Sequence, residues 1–335
     1  MATIYDIAEK VGVSVATVSR VINGVNHPIK GETRQRILEA AQELNYRPNT
    51  IAKSLAQGRT HTVALLIPSI TNNFYTQISE IIESKLDEEG YNIYLCNTKR
   101  SIEKESRYVE NLIARRVDGV IFSPTRVRPE DNEANLDNIT ELSRNNIAVV
   151  TFGSRFPNVS QIYINTYYGA CEAVRYLLKL GHRQIGFIDG LTAGTRRRRR
   201  KGYLDTLKEA GIEGEELIIS GDLEMEGGYR CALQLLQRNN PPTAVIAVNN
   251  LMAIGVIKAA KEIGIKIPED LSVIGFDDSL LSQVIEPSLT VVKQPLVEIG
   301  NAAARLLIRQ LHGETEAETV EFNTRLVIRE SCRAR

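Results

Sequence analysis

The sequence predicts a small all-α headpiece followed by a larger α/β body of two Rossmann-like halves. Three observations predict this. Residues 4–22 place apolar side chains at helical spacing on either side of Gly12. Residues 49–58 form a short mixed linker, N-T-I-A-K-S-L-A-Q-G. From Thr62 onward, strand-like runs alternate strictly with helical periods, the mark of parallel sheets covered on both faces. A chain of 335 residues also exceeds what one hydrophobic core usually serves.

In the headpiece, Ile4, Ile7, Ala8 and Val11 share one helical face. Gly12 follows, where a left-handed exit needs no Cβ. Ser14 is the N-cap of a second helix whose inner face is Val18, Val21 and Ile22. Val15, Ala16, Thr17, Ser19 and Arg20 then point outward. Two short helices joined by a Gly turn, the second outwardly small, polar and basic, fit a helix-turn-helix, whose partner is duplex DNA. Asn23 and Gly24 lead into a polar loop through Pro28. A longer helix follows, with Ile37, Leu38, Ala41 and Leu44 expected inward. The Arg47-Pro48 step ends it, because a residue before Pro disfavours the α region. In the linker, Asn49 can cap a short helix with Ile51, Ala52, Leu55 and Ala56 on one stripe. A helix that short is marginal alone.

The body's expected strands are 63–68, 91–97, 119–123, 147–152, 184–188, 244–248 and 272–276. Its expected helices are near 74–88, 102–115, 168–179, 196–210, 226–238, 250–263 and 296–311. Ligands of open α/β sheets sit at the carboxyl ends of strands. The residues just after the strands are therefore the candidates. Asn72 can hydrogen-bond a hydroxyl, and Phe74 or Tyr75 can stack on a sugar's apolar face. Gly153 follows 147–152, Asn249 and Asn250 follow 244–248, and Asp277 and Asp278 follow 272–276. Arg196 to Arg200 are five consecutive arginines. Successive helical residues diverge by about 100°, so only one or two of them can face a cleft and the rest are solvated.

Composition narrows the classes. Net charge is zero, which alone argues against nucleic acid, but through His61 there are eight Lys and Arg against five Asp and Glu. The four cysteines are scattered with no zinc spacing, as free thiols of a reducing cytosol would be, and no metal or cofactor is implied. Met1 leads directly into a helical pattern rather than a signal peptide, and no apolar run reaches membrane-spanning length. A cytoplasmic location is expected. Asp277, Asp278 and Arg199 form no opposed carboxylate pair, and GxSxG, GxxxxGK[ST] and a strand-linked GxGxxG are all missing. No enzyme is expected, and the alternative is a sugar-binding solute protein without a regulatory role.

The run T-I-Y-D-I-A-E-K-V-G-V-S-V-A-T-V-S-R-V-I-N, then T-R-Q-R-I at 33–37 and L-N-Y-R-P-N at 44–49, resembles the headpiece of the LacI family of bacterial transcription regulators. The resemblance continues through L-G-H-R-Q-I-G-F at 180–187 and I-G-F-D-D at 274–278. It implies a repressor that binds a near-palindromic double-stranded operator as a homodimer and is switched by a small effector, a sugar or related metabolite. DNA contacts are implied for Thr3, Tyr5, Ser14, Val15, Ala16, Thr17, Ser19, Arg20, Asn23, Asn49, Ala52 and Leu55, with Leu55 as a minor-groove wedge. Effector contacts are implied for Asn72, Phe74, Tyr75, Gly153, Arg199, Asn249 and Asp277. Gly153 and Asn165 stand where many members carry Asp, Asn250 where the usual pair is Asn-Asp, and Lys30 where a Ser usually caps the third helix. The implied body resembles a periplasmic sugar-binding protein with crossovers near 157–161, 285–290 and 318–322. The divisions are then a headpiece at 1–47, a hinge at 48–60, and a body at 61–335. Its first lobe is about 61–158 with 288–320, its second about 159–287 with 321–335. The chain shows no leucine heptad at its C-terminal end, so a dimer rather than a tetramer is expected.

Overall fold

The computed structural model describes residues 2–24, 27–47, 58–125, 131–153, 156–190 and 193–335, the side chains of 193–196 excepted. Two compact units result, Met1–Thr60 and His61–Arg335.

The first unit is three helices: α1 (Ile4–Val11), α2 (Val15–Ile22) and α3 (Gly31–Glu43). Thr3 begins α1 with a capping box. Its Oγ1 accepts from the Asp6 N–H at 3.4 Å, and its own N–H donates to Asp6 Oδ2 at 2.6 Å. Gly12 ends α1 at φ +71°, the left-handed exit that its type predicts. Ser14 then caps α2, accepting from the Thr17 N–H at 3.2 Å. Lys30 precedes α3 with no side-chain cap. Ile7, Ala8, Val11, Val18, Val21, Ile37 and Ala40 form the core. Two expectations shift. Leu38 lies 45% exposed, and Ala40 takes the buried place, because α3 rotates its 37/40 edge rather than its 37/38 edge toward α1. Val15 is half-buried against this core rather than fully outward.

The second unit holds two six-stranded sheets. The first contains β1 (Thr62–Ile67), β2 (Asn92–Asn97), β3 (Gly119–Phe122), β4 (Ala148–Phe152), β5 (Ser160–Asn165) and β11 (Thr319–Asn323), in the order β11-β5-β4-β3-β1-β2. All its pairings are parallel. The second contains β6 (Ile185–Asp189), β7 (Ile218–Ser220), β8 (Ala244–Ala247), β9 (Ser272–Phe276), β10 (Thr290–Lys293) and β12 (Arg325–Val327), in the order β12-β10-β9-β8-β6-β7. Only β12 is antiparallel there.

Helices cover both faces of each sheet. The first sheet carries α4 (Asn73–Glu88) and α12 (Leu296–Leu311) on one face, with α5 (Ile102–Ala114) and α6 (Asp131–Arg144) on the other. The second carries α9 (Met225–Leu236) and α10 (Asn250–Glu262) opposite α7 (Thr166–Lys179) and α8 (Ala193–Glu209). A short α11 (Leu280–Val284) precedes β10.

The lobe boundaries differ from those expected. The first crossover falls between Asn165 and Thr166, because β5 pairs with β4 and stays in the first sheet. The second falls at Gln294 and Pro295, because β10 pairs with β9. The third falls at Thr324, between β11 and β12. The crossovers pack tightly against one another: a Cβ on Gly169 would lie 2.2 Å from Thr324 Oγ1 and 2.5 Å from Val292 Cγ1.

Each sheet reverses its winding once. In the first the chain runs from β1 out to β2 and returns to β3 on the other side; in the second it runs from β6 to β7 and returns to β8. Side chains at the carboxyl ends of β1 and β3, and of β6 and β8, therefore border crevices that no crossover covers.

Candidate DNA-reading face and effector cleft

On the headpiece, α2 presents Ala16 and Arg20 to solvent, with Thr17 and Ser19 half-exposed. Tyr5 on α1 is 68% exposed, far beyond what a core tyrosine shows. Several of the expected contact residues already make local bonds. Ser14 Oγ and Thr17 Oγ1 lie 2.8 Å apart, Asn23 Nδ2 donates to Ser19 Oγ at 3.2 Å, and Thr3 serves its capping box. Arg20 Nη1 lies 3.1 Å from His27 Nε2, an exposed contact easily exchanged. The result is a helix with small residues at its start and one long cation near its end. Val15 and Ala16 are too short for paired hydrogen bonds and match apolar base edges such as thymine methyls. The Arg20 guanidinium matches guanine N7 and O6. Asn49, Ala52 and Leu55 lie outside the described residues.

In the body, one cleft of about 1050 Å³, measured out to its mouth, opens where the two winding reversals meet. All seven expected effector residues line it: Asn72, Phe74, Tyr75, Gly153, Arg199, Asn249 and Asp277. Phe74 and Tyr75 meet edge to face at 5.0 Å, and Ser123 Oγ donates to Tyr75 Oη at 3.1 Å. Burial raises the Tyr75 phenol above its ordinary pKa.

Arg199 and Asp277 form the polar centre. Arg199 is 6% exposed, and its guanidinium stacks 4.2 Å above the Phe276 ring. One Nη donates to the Val248 carbonyl, and the other lies 3.8 Å from Asp277 Oδ1. Asp277 also accepts from Gln294 Nε2, a residue of the second crossover, and sits at φ +70°. Burial pushes the Arg199 pKa down and the Asp277 pKa up, while their mutual attraction opposes both shifts. Asn249 is spent structurally. Its Oδ1 caps α10 on Met252 and its Nδ2 holds the Leu223 carbonyl, both at 2.8 Å. Asn72 caps α4, accepting from the Phe74 N–H at 2.9 Å. Asn165 caps α7 through the Tyr168 N–H, and the Asp278 carboxylate is bound by Arg329 at 2.8 Å and Lys293 at 3.1 Å.

Among the described residues, Arg198, Arg100 and Gln77 bridge the lobes. Arg198 Nη2 donates to the Gly153 carbonyl at 3.0 Å, with its guanidinium 4.9 Å from the Tyr163 ring. Arg100 pairs with Glu224 at 3.2 Å, and Gln77 Nε2 reaches the Asp278 carbonyl at 3.3 Å. Arg198 corrects the expectation that the arginines other than Arg199 are solvated, since it lines the cleft too. The sequence reading also missed Arg100, Ser123, Thr125, Thr166 and Gln294 on the wall. Arg100 follows β2, while Ser123 and Thr125 follow β3, so the rule that found Asn72 finds them once applied to every strand. Thr166 and Gln294 were hidden because their crossovers were expected elsewhere.

Beneath Thr125 lies a buried polar network. The Thr125 N–H donates to Glu105 Oε2 at 2.7 Å, Asn138 Nδ2 to Glu105 Oε1 at 3.2 Å, and Asn135 Nδ2 to the Thr125 carbonyl at 2.8 Å. Burial raises the Glu105 carboxyl to about 7, with the hydrogen bonds from Thr125 and Asn138 opposing the shift. Among the described residues no cluster of His, Cys, Asp or Glu fits a metal ion, and no helix is long and apolar enough to cross a membrane.

Residues 3–49 match the family described as bacterial regulatory proteins, lacI family, and residues 174–332 match a periplasmic binding protein-like domain. The chain is 34% identical over 336 residues to an HTH-type transcriptional repressor, PurR, of Mannheimia succiniciproducens, covering 99% of each chain. Its fold matches a lac repressor dimer bound to operator and an anti-inducer with a TM-score of 0.88, at 29% identity and 99% coverage of each chain. It also matches a complex of the transcriptional regulator CelR with cellobiose, with a TM-score of 0.73 and 31% identity, covering 99% of this chain and 100% of that one.

Proposed function

This chain belongs to the lacI family of bacterial regulatory proteins, and from that premise we propose how its two units divide the work. It is a DNA-binding transcription regulator with an effector-binding body. In the proposed reading it is a cytoplasmic repressor, and two copies joined through their bodies set two headpieces on the halves of a near-palindromic operator. Ala16 and Val15 read apolar base edges, Arg20 reads a guanine, and Thr3, Tyr5, Ser14, Thr17, Ser19 and Asn23 hold the backbone. Leu55 wedges the central base step, with Asn49 and Ala52 beside it.

The body's effector, a sugar or related metabolite, lies in the interlobe cleft. The observation that carries this is the buried Arg199–Asp277 pair, tied through Gln294 to a crossover between the lobes. A ligand that rearranges this pair also acts on the segment about which the lobes move. Asn72, Phe74, Tyr75 and Gly153 complete its contacts, while Asn249 acts by holding α10 and Leu223 in place. The bridges from Arg198, Arg100 and Gln77 make lobe closure the variable that ligand occupancy changes. By linkage, operator binding changes effector affinity by the same factor.

The test has two stages. Operators are selected from random duplex DNA with the full-length protein. Binding to the selected site is then titrated with sugars, sugar acids, sugar phosphates and nucleobases. Arg199→Ala and Asp277→Ala are expected to lose the ligand response and keep the operator. Loss of operator binding in both, with ligand affinity intact, contradicts the assignment.

A further inference from the structure

The cleft wall is unbalanced in charge. Among the described residues it presents three guanidinium groups, Arg100, Arg198 and Arg199, and a single carboxylate, Asp277. Asp277 is committed to Arg199 and Gln294. Arg100 has Glu224, which stands outside the wall with a side chain 43% exposed, so that pair is partly screened by solvent. Arg198 has no carboxylate among the described residues. It meets only the Gly153 carbonyl and the face of Tyr163. The Nε atoms of Arg198 and Arg199 are both buried and without a hydrogen-bond partner among the described residues. Two adjacent guanidiniums thus line the cleft, each with one buried nitrogen left without a partner. A cation removed from water without a counter-charge is costly, and a guanidinium presents a planar fork that fits a carboxylate or phosphate.

The rest of the wall fits a compact hydroxylated body. Phe74, Phe152 and Ile164 offer apolar surface, while Ser123, Thr125 and Thr166 offer neutral hydroxyls. We infer that the effector is an anion, a polyhydroxylated molecule of sugar size bearing a carboxylate or a phosphate, with its charged group bound by Arg198. This rests on the cleft being the effector site and adds the ligand's charge. Because Arg198 belongs to the second lobe and donates to the Gly153 carbonyl of the first, an anion bound by Arg198 acts on a contact that bridges the lobes.

The experiment uses full-length protein and matched probes: glucose, galactose, their uronic acids, gluconate, galactonate, and the two hexose 6-phosphates. Binding is read by calorimetry and by the thermal shift. At least one acid or phosphate is expected to bind ten-fold or more tightly than its neutral parent, with affinity falling as salt rises. Carboxylate and phosphate arms identify which anion is taken. Arg198→Gln is expected to weaken that probe at least ten-fold. Arg197→Gln, which removes the same charge from an exposed neighbour, leaves it unchanged. A neutral hexose binding as tightly as its charged counterparts overturns the inference and leaves the cleft reading standing. So does equal loss in the Arg197 and Arg198 variants, or silence from every charged probe. An anion bound equally well by Arg198→Gln and Arg199→Ala lies elsewhere, and that result overturns the cleft reading itself.

Discussion

On the headpiece, Tyr5, Ala16 and Arg20 are exposed and the core beneath them is complete without them, whereas the other proposed contacts Val15, Thr3 and Ser14 also pack on that core or cap its helices. In the body, the side chains assigned to the effector are part of the fold. Arg199, Asp277 and Asn249 are each at most 6% exposed and bonded to other elements. The first surface is the proposed docking face, where specificity and stability separate at Tyr5, Ala16 and Arg20. The second is a preorganised interior, where a substitution changes ligand binding and folding together.

The strongest way to break this contrast is to remove one side of it. A body lacking residues 1–60 is expected to remain a dimer by light scattering at micromolar concentration and to lose all operator binding. A monomer mass would return the dimer contacts to the deleted segment. A tetramer would overturn the expected dimer.

Next in size is Arg199→Ala. It strands a buried Asp277 and removes the stack on Phe276, so chemical denaturation of the body should lose about 3–5 kcal/mol. Adding Asp277→Asn should recover part of that loss. An Arg199→Ala body of unchanged stability would show that the cleft is as separable from its fold as the headpiece face is.

One carboxyl in each unit titrates opposite to the other. Asp6 is held below its ordinary pKa by the Thr3 hydrogen bonds, so its contribution is present above the unfolded value and lost as pH falls through the folded one. Glu105 runs the other way. Burial raises it from 4.5 to about 7, so its contribution is full below pH 4.5 and disappears as pH rises through about 7. The difference is on the order of 3 kcal/mol for this one group. Glu105 should lower the body melting temperature between pH 5 and pH 8, opposed by His182, whose burial-lowered pKa favours the fold as pH rises, and Glu105→Gln should remove the falling component. A variant with the wild-type pH slope would assign it to another group.

Arg20→Ala should cost about 1–3 kcal/mol of operator affinity and relax one base position, with headpiece melting unmoved. An unchanged preference across randomised sites removes Arg20 from base reading. The smallest effect belongs to Ser14→Ala, about 1 kcal/mol of headpiece stability through the lost α2 cap. A drop in operator affinity without that loss would make Ser14 a DNA contact first.

Legibility in the sequence followed the same division. The headpiece is local, so Gly12, Ser14 and the apolar spacing carried nearly everything. Only the facing of Val15 and Leu38 escaped, because three helices settle that jointly. In the body, strands after which ligand residues fall were legible where runs of Val, Ile and Leu were long. The helix α6 was not, because its inner face carries Asp131, Asn135 and Asn138 in place of apolar residues. The crossovers expected near 157–161 and 285–290 fall instead after β5 and β10, since pairing alone identifies those two strands. Arg198 was missed for a different reason: backbone pitch cannot say how far a long side chain reaches across to Gly153.

The third crossover has a consequence for synthesis. Strand β11, residues Thr319–Asn323, closes the open edge of β5, more than 150 positions earlier in the chain. During translation β5 therefore waits with an unpaired edge while nearly the whole second lobe is made, and β10 waits likewise for β12. Neither lobe is a contiguous segment, so neither can finish folding ahead of the other as a chain emerging end first would favour. A ribosome stalled before residue 319 would hold two incomplete sheets, each with an exposed strand edge open to aggregation or chaperone capture.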